Sequence, residues 1–442
     1  MPAASRPLAP TGAQRRAMYR DMVLTRCFDT QASALQRQGQ LALWAPSLGQ
    51  EAAQVGSAHA LAGQDWVFPS YREHGVLQAR GVALPDALAL FRGADHGGWD
   101  TERHRVHLYT LVVGAQVLPA VGYAIGLALD AARGAPAPDQ ATGAASDQAT
   151  GAAPGPAAGA AGTPASGQAT AAAPDLAVGA AGAPAPGPAV GAAGAPASGQ
   201  VTGAAPGPAG GQATGAPPGP AAEAAGAVIV YLGDGATSQG EVGEALVWAA
   251  SCAAPVLFFI QNNGWAISTP TATQARVALA RRGEGFGIPG ERVDGNDATA
   301  CFAATAAALE RIRAGQGPQI VEAVTYRLGP HTTSDDPSRY RSPQDEAPWA
   351  ARDPIALARA ALEADGLADQ AFFEAADAAG AALAAAARQR CGSLQPPGLE
   401  ELFGWVYASE NRLVAEELAA WQRGLAGAAQ PAPELAGTGA PQ

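Results

Sequence analysis

The sequence contains no lysine, and all 27 of its basic residues are arginine. That excludes a Schiff-base amine and the phosphate-binding lysine of a P-loop, although a GC-rich genome would leave the same bias without a functional cause. Cysteine is scarce. Cys27, Cys252, Cys301 and Cys391 are widely scattered, and no pair has metal-ligand or redox spacing. They are expected to be reduced thiols of a cytoplasmic protein. Positive charge is outweighed: the net charge is −12 and the pI about 5.0, which argues against nucleic acid and an anionic membrane surface. Residues 1–16 lack an apolar run of the signal-peptide kind.

Charge is also missing from Leu108 to Leu129, a stretch long enough to cross a bilayer. Thr110, Gln116, Pro119 and three glycines interrupt it. A strand end and turn followed by a buried helix fits better, with Gly122 and Gly126 four apart so that another helix can approach. A membrane anchor is the alternative.

From 135 to 222 the chain has neither aromatic residues nor arginine, and an imperfect unit recurs: DQAT at 139 and 147, GQAT at 167 and 211, GQVT at 199. Such a tract cannot bury enough apolar surface to offset chain entropy. It is expected to be a disordered Ala/Gly/Pro-rich insertion, either a tether or a repeat expansion tolerated in a surface loop. Residues 1–134 and 223–345 are then two parts of one α/β domain. A helical region (346–425) and a disordered tail (426–442) follow. Residues 15–37 predict a helix with Met18, Met22, Leu24, Phe28 and Leu35 as its apolar positions.

The informative stretch is Tyr231–Glu241, YLGDGATSQGE. An apolar run, 227–232, precedes it. Helically spaced Val242, Ala245, Leu246 and Ala249 follow, and a second apolar run, 256–260, ends in Gln261-Asn-Asn-Gly264. This is one βαβ unit, so the turn and the second strand end share the carboxyl edge, where open α/β sheets bind ligands. Gly233 and Gly235 permit a tight turn and close backbone approach. The amides and helix start beyond them suit an anion, yet Asp234 would repel a bare phosphate. A divalent cation between the two resolves the conflict. Asn263 offers an amide oxygen and Trp265 a carbonyl, which with diphosphate oxygens make a hard oxygen site suited to Mg²⁺. A dinucleotide fingerprint would need glycine where Ser238 stands. The structural alternative is Asp234 capping a helix and Asn262-Asn263-Gly264 forming an ordinary turn.

GDG…NN resembles the thiamine diphosphate motif, and the chain is similar to the alpha subunit of the first, decarboxylating component of 2-oxo acid dehydrogenase complexes. The similarity extends to LQRQGQLALWAPSLGQEAAQVGSA (35–58), DWVFPSYREHG (65–75), VVGAQ (112–116), RVDGND (292–297) and YRLGPHTTSDDPSRYRS (326–342). The branched-chain subfamily is nearest and the pyruvate subfamily close. The resemblance implies a thiamine diphosphate-binding α/β fold, with a parallel sheet flanked by helices. It implies Mg²⁺ on Asp234, Asn263 and the Trp265 carbonyl. It implies a cofactor site at Tyr71, Arg72, Val113, Gly233, Asp234, Gly235, Ala236, Asn263, Arg327 and His331, with His331 as the catalytic residue near the reacting carbon, a proton donor or an orienting group. Pro119 departs from the usual pattern near Val113 and leaves a nearby potassium site open. Thr332 stands where mitochondrial relatives carry a phosphoserine, in a turn-rich loop expected to order over bound cofactor.

The implied reaction is oxidative decarboxylation of a 2-oxo acid, 3-methyl-2-oxobutanoate for example, with acyl transfer to a lipoyl arm of the second enzyme. The implied assembly is α2β2, the beta subunit supplying the cofactor-activating glutamate. Pyruvate and acetoin dehydrogenases are alternatives, as is a cofactor-free binding subunit. For Arg72, a surface salt bridge with Glu73 is the bland alternative. His74, His104 and His107 show no metal geometry and are expected to be structural or peripheral.

Overall fold

The computed structural model describes residues 9–133, 226–404 and 406–428. The expected insertion lies outside them, as does the tail beyond 428. All the described residues belong to one compact unit.

Helix α1 (Gly12–Arg37) starts at a capping box in which Thr11 and Gln14 satisfy each other's backbone donors. Its expected apolar positions, Met18, Met22, Leu24, Phe28 and Leu35, are all buried. Helix α2 (Glu51–His59) and strand β1 (Trp66–Phe68) follow, and after several short helices comes α3 (Val117–Arg133). Beyond the undescribed segment lie β2 (Val228–Gly233), α4 (Gly240–Ser251), β3 (Val256–Asn262), β4 (Gly290–Asp294), α5 (Ala298–Arg313) and β5 (Gln319–Val324). The five strands form one parallel sheet in the order β1-β2-β3-β5-β4. The architecture is α/β, as the sequence implied.

The apolar runs are continuous because both sheet faces are covered. Val228, Val230, Leu232, Val256, Phe258 and Ile260 face α3 and α4, whereas Ile229, Tyr231, Leu257 and Phe259 join the core under α1 and α5. The C-terminal helices are α6 (Pro354–Ala364), α7 (Gln370–Ser393) and α8 (Arg412–Ala428), the last running past the expected start of the tail. α7 lies along α1, with Phe373 edge-on to Tyr19 at 5.1 Å. Among the described residues no helix is long and apolar enough to cross a membrane. The uncharged stretch 108–129 is divided between a loop and α3, whose first turn accommodates Pro119.

α3 begins beside the carboxyl ends of the strands, where Gln116 Nε2 donates to the Tyr231 carbonyl at 2.7 Å. It runs ~25 Å from there. The chain re-enters at Gly226, against the Gln64 carbonyl, at the amino end of β2. Replacing 135–222 by a short Gly/Ser linker is expected to leave the melting temperature unchanged in a calorimetric scan. A drop of several degrees would make the insertion part of the folding unit.

Candidate active site

Register brings the two halves of the motif together. Gly233 of β2 pairs with Gln261 of β3, so Asp234 and Asn263 leave neighbouring strands at the same edge. The ends of β1 and β5 deliver Tyr71-Arg72 and Arg327 there, and the loop before α3 delivers Val113. Tyr71, Arg72, Val113, Gly233, Asp234, Gly235, Ala236, Asn263, Trp265, Arg327 and His331 all line one cavity of about 190 Å³. The structure thus gathers every site residue expected from the sequence.

Asp234 is 1% exposed and does not cap a helix. A 3₁₀ turn, Gly235–Ser238, separates it from α4, so the helix starts later than expected. Its carboxylate accepts from Thr271 Oγ1 and, at 3.3 Å, from Gln274 Nε2. Burial raises its pKa above the usual carboxylate value, an effect the Thr271 bond opposes. The two glycines differ. A Cβ on Gly235 would meet the Ala266 Cβ at 2.7 Å, so the close approach is real there. A Cβ on Gly233 would meet nothing within 4 Å.

The two asparagines also differ. Asn262 is structural: its Nδ2 donates to Glu322 at 2.7 Å, and its Oδ1 accepts from Gly264 N and Thr271 at 3.2 Å each. Asn263 is the one on the cavity, its Oδ1 accepting from Trp265 N at 3.2 Å. Among the described residues no cluster of three His, Cys, Asp or Glu could hold a metal ion. A cation here would use one carboxylate, an amide oxygen and a carbonyl, a donor set that suits Mg²⁺.

Two buried arginines face this acidic point. Arg72 is 5% and Arg327 0% exposed. Arg72 donates to the carbonyls of Pro46 and, at 2.8 Å, His331. The expected alternative, a surface pair with Glu73, does not form: the Glu73 carboxylate accepts from Ser70, Gln261 and the Arg72 backbone instead. Arg327 donates to the carbonyls of Trp265 (3.2 Å) and Ile267 (2.8 Å) and to Tyr340 OH (2.9 Å). Burial, and then the neighbouring Arg72, lower its pKa. Neither guanidinium has a carboxylate hydrogen-bonded to it, although Glu73 lies near Arg72 and Asp234 and Asp335 near Arg327, so both are placed to take up an anion.

His331 is pushed down to about 3 by burial and by Arg72 and Arg327. Its imidazole is therefore neutral near pH 7. Arg72 Nη2 lies 3.2 Å from its Nδ1, and a guanidinium only donates, so Nδ1 is the acceptor and Nε2 carries the proton. The loop on which His331 stands is held by its own hydrogen bonds. Asp335 accepts from His331 N (2.7 Å) and Tyr340 OH (2.5 Å), and Thr333 N donates to the Trp44 carbonyl (2.9 Å). His74 is structural, bonded to Tyr109 OH at 2.7 Å and stacked on Trp44. His107 stacks on Phe68, and His104 approaches the Arg80 carbonyl at 3.3 Å.

Residues 19–395 match the family described as the dehydrogenase E1 component. The chain belongs to that family. It is 36% identical over 394 residues to the 3-methyl-2-oxobutanoate dehydrogenase subunit alpha of Mycobacterium tuberculosis, covering 89% of this chain and 82% of the relative. Pyruvate dehydrogenase E1 component alpha subunits follow, from Acholeplasma laidlawii (33% over 341 residues, 77% of this chain and 72% of the relative) and Staphylococcus epidermidis (32% over 348 residues, 78% and 69%). This E1 chain is thus an oxidoreductase of the 2-oxo acid dehydrogenase class, in a family that depends on thiamine diphosphate.

Some contributors to the E1 site escaped the sequence reading. Gln50, Glu73, Gln116 and Gln261 line the cavity, and Thr271 holds Asp234. Their only advance signal was position: Gln50 lies in the 35–58 stretch and Gln261 beside the two asparagines, and neither type of residue announces a function.

Proposed function

We propose that this E1 alpha chain binds thiamine diphosphate through Mg²⁺ and, with a beta subunit, decarboxylates a branched-chain 2-oxo acid and passes the acyl group to a lipoyl arm. One observation carries the reading: a buried carboxylate, amide oxygen and carbonyl stand on the same sheet edge as two buried arginines that have no carboxylate on their guanidinium groups. A cation with a diphosphate satisfies both sets at once, and neither a bare metal nor a bare anion does.

In this reading Asp234, Asn263 and the Trp265 carbonyl hold Mg²⁺. Arg72, with Tyr71 beside it, and Arg327 grip the diphosphate, for which a planar guanidinium is well shaped. Bound thiamine diphosphate supplies the electron sink for the pair released when carbon dioxide departs. Val113 presents its backbone to the rest of the cofactor. His331 directs an Nε2–H donor at the reacting end.

The remaining wall belongs to a partner. Val113, on the cavity wall, is 40% exposed, and the neighbouring Val112 is 70% exposed. Among the described residues, nothing lies within 4 Å of where a Cβ on Gly122 or Gly126 of α3 would lie, and Leu129 and Trp248 are exposed on α3 and α4. A small-residue helix face beside apolar side chains suits the subunit contact of an α2β2 assembly.

The branched-chain assignment rests on the mycobacterial similarity. Its test is decarboxylation by the co-purified subunits with an artificial electron acceptor, on 3-methyl-2-oxobutanoate, 4-methyl-2-oxopentanoate and pyruvate. Turnover of the two branched acids well above pyruvate is expected. Turnover of pyruvate alone would move the substrate and leave the site in place.

A further inference from the structure

Gln50 immediately precedes α2 and is fully buried against the wall of the cavity. Its position is tightly fixed. Gly49 has φ +91, and a Cβ there would come within 2.5 Å of the Tyr326 carbonyl. The Gly49 amide donates to Glu51 Oε2 at 2.9 Å, and its carbonyl accepts from Thr325 Oγ1 at 2.8 Å. A larger residue at 49 would lift Gln50 off the sheet edge.

The orientation of the Gln50 amide follows from its neighbours. The Trp265 backbone N–H, a fixed donor, points at Asn263 Oδ1 (3.2 Å). Asn263 must therefore turn Nδ2 the other way, where it donates to Gln50 Oε1 at 3.1 Å. That leaves Gln50 Nε2 as a buried donor without a partner among the described residues. A buried amide donor left unmatched is costly, and a fully buried one on the wall of a cavity points to an acceptor that the protein itself does not supply.

We propose that Gln50 has two jobs in the cofactor site. Its Oε1 fixes the amide of Asn263 so that Oδ1 faces the cation, and its Nε2 donates to an oxygen of the diphosphate. The charge around it agrees, because Arg72 and Arg327 line the same cavity and α2 presents its positive end beside Gln50. This inference rests on the cavity being a Mg²⁺–diphosphate site.

The test uses the full-length chain assembled with its partner subunit. Binding of thiamine diphosphate with Mg²⁺, and separately of inorganic pyrophosphate with Mg²⁺, is followed by tryptophan fluorescence, since Trp265 lines the cavity. Gln50→Glu keeps the acceptor for Asn263, removes the donor and sets a negative charge beside the anion. Gln50→Met removes both groups. Both are expected to weaken pyrophosphate and thiamine diphosphate alike, by roughly tenfold or more, the range for residues that orient metal ligands, with the cofactor-free melting temperature kept in Gln50→Glu. Wild-type pyrophosphate affinity in Gln50→Glu would overturn the proposal, as would a loss confined to thiamine diphosphate. Asp234→Ala run alongside separates the two layers. If it too binds like wild type, the reading of the cavity fails; if it alone loses binding, the role of Gln50 fails.

Discussion

Asp234→Ala is expected to abolish decarboxylation without unfolding the protein. Asp234 is the one carboxylate of the proposed metal set, and replacing it leaves a neutral amide and a carbonyl, too weak a set to hold Mg²⁺ against water. The expected loss of Mg²⁺-dependent cofactor affinity exceeds roughly 100-fold, the upper range for residues that only support a metal ligand. Stability should move the other way. The carboxylate is buried and its pKa is raised by that burial, so without cofactor it is a strained group whose removal costs little or is favourable. An inactive Asp234→Ala protein with a melting temperature at or above that of the cofactor-free wild type is the expected pair of results. Inactivity with a collapsed melting temperature would mean instead that Asp234 is structural, through Thr271 and Gln274.

Arg72→Met makes the same argument from the opposite charge. Arg72 is buried, bonded to two carbonyls and a histidine nitrogen, and lies close enough to Arg327 to depress that residue's pKa. The two buried cations repel each other, and a bound anion offsets that repulsion. Removing one partner of a buried, hydrogen-bonded charge pair costs about 2–5 kcal/mol, so thiamine diphosphate affinity should fall by a factor between tens and thousands. The cofactor-free protein should melt at a higher temperature than wild type, because a like-charge contact and a desolvated guanidinium are gone. The thermal shift produced by saturating cofactor should shrink at the same time. A variant that binds cofactor normally would place Arg72 outside the site. A lower melting temperature would show that its carbonyl bonds outweigh the buried charge.

The sequence carried the centre of this account because the centre is local. Asp234 and Asn263 end two adjacent parallel strands joined by one helix, and apolar runs with both faces buried mark those strands clearly. Tyr71, Val113, Arg327 and His331 were placed by resemblance alone. They come from separate loops that meet only through strand order, which periodicity does not report. Strand β4 was invisible as a strand because it is a polar, largely exposed edge. The start of α4 was misplaced because Gly235–Ser238 forms a 3₁₀ turn instead. The protonation state of His331 was not legible at all, since it depends on two arginines distant in sequence. Gln50 and Thr271 were missed for a similar reason: their roles lie in which atom donates to which, and composition cannot show that.

The most direct test of the central claim is a calorimetric titration of the assembled protein with thiamine diphosphate, with Mg²⁺ and again with chelator. One site per alpha chain is expected, tight with Mg²⁺ and lost both on chelation and in Asp234→Ala. Binding that is equally tight without a divalent cation, or that survives in Asp234→Ala, would contradict it.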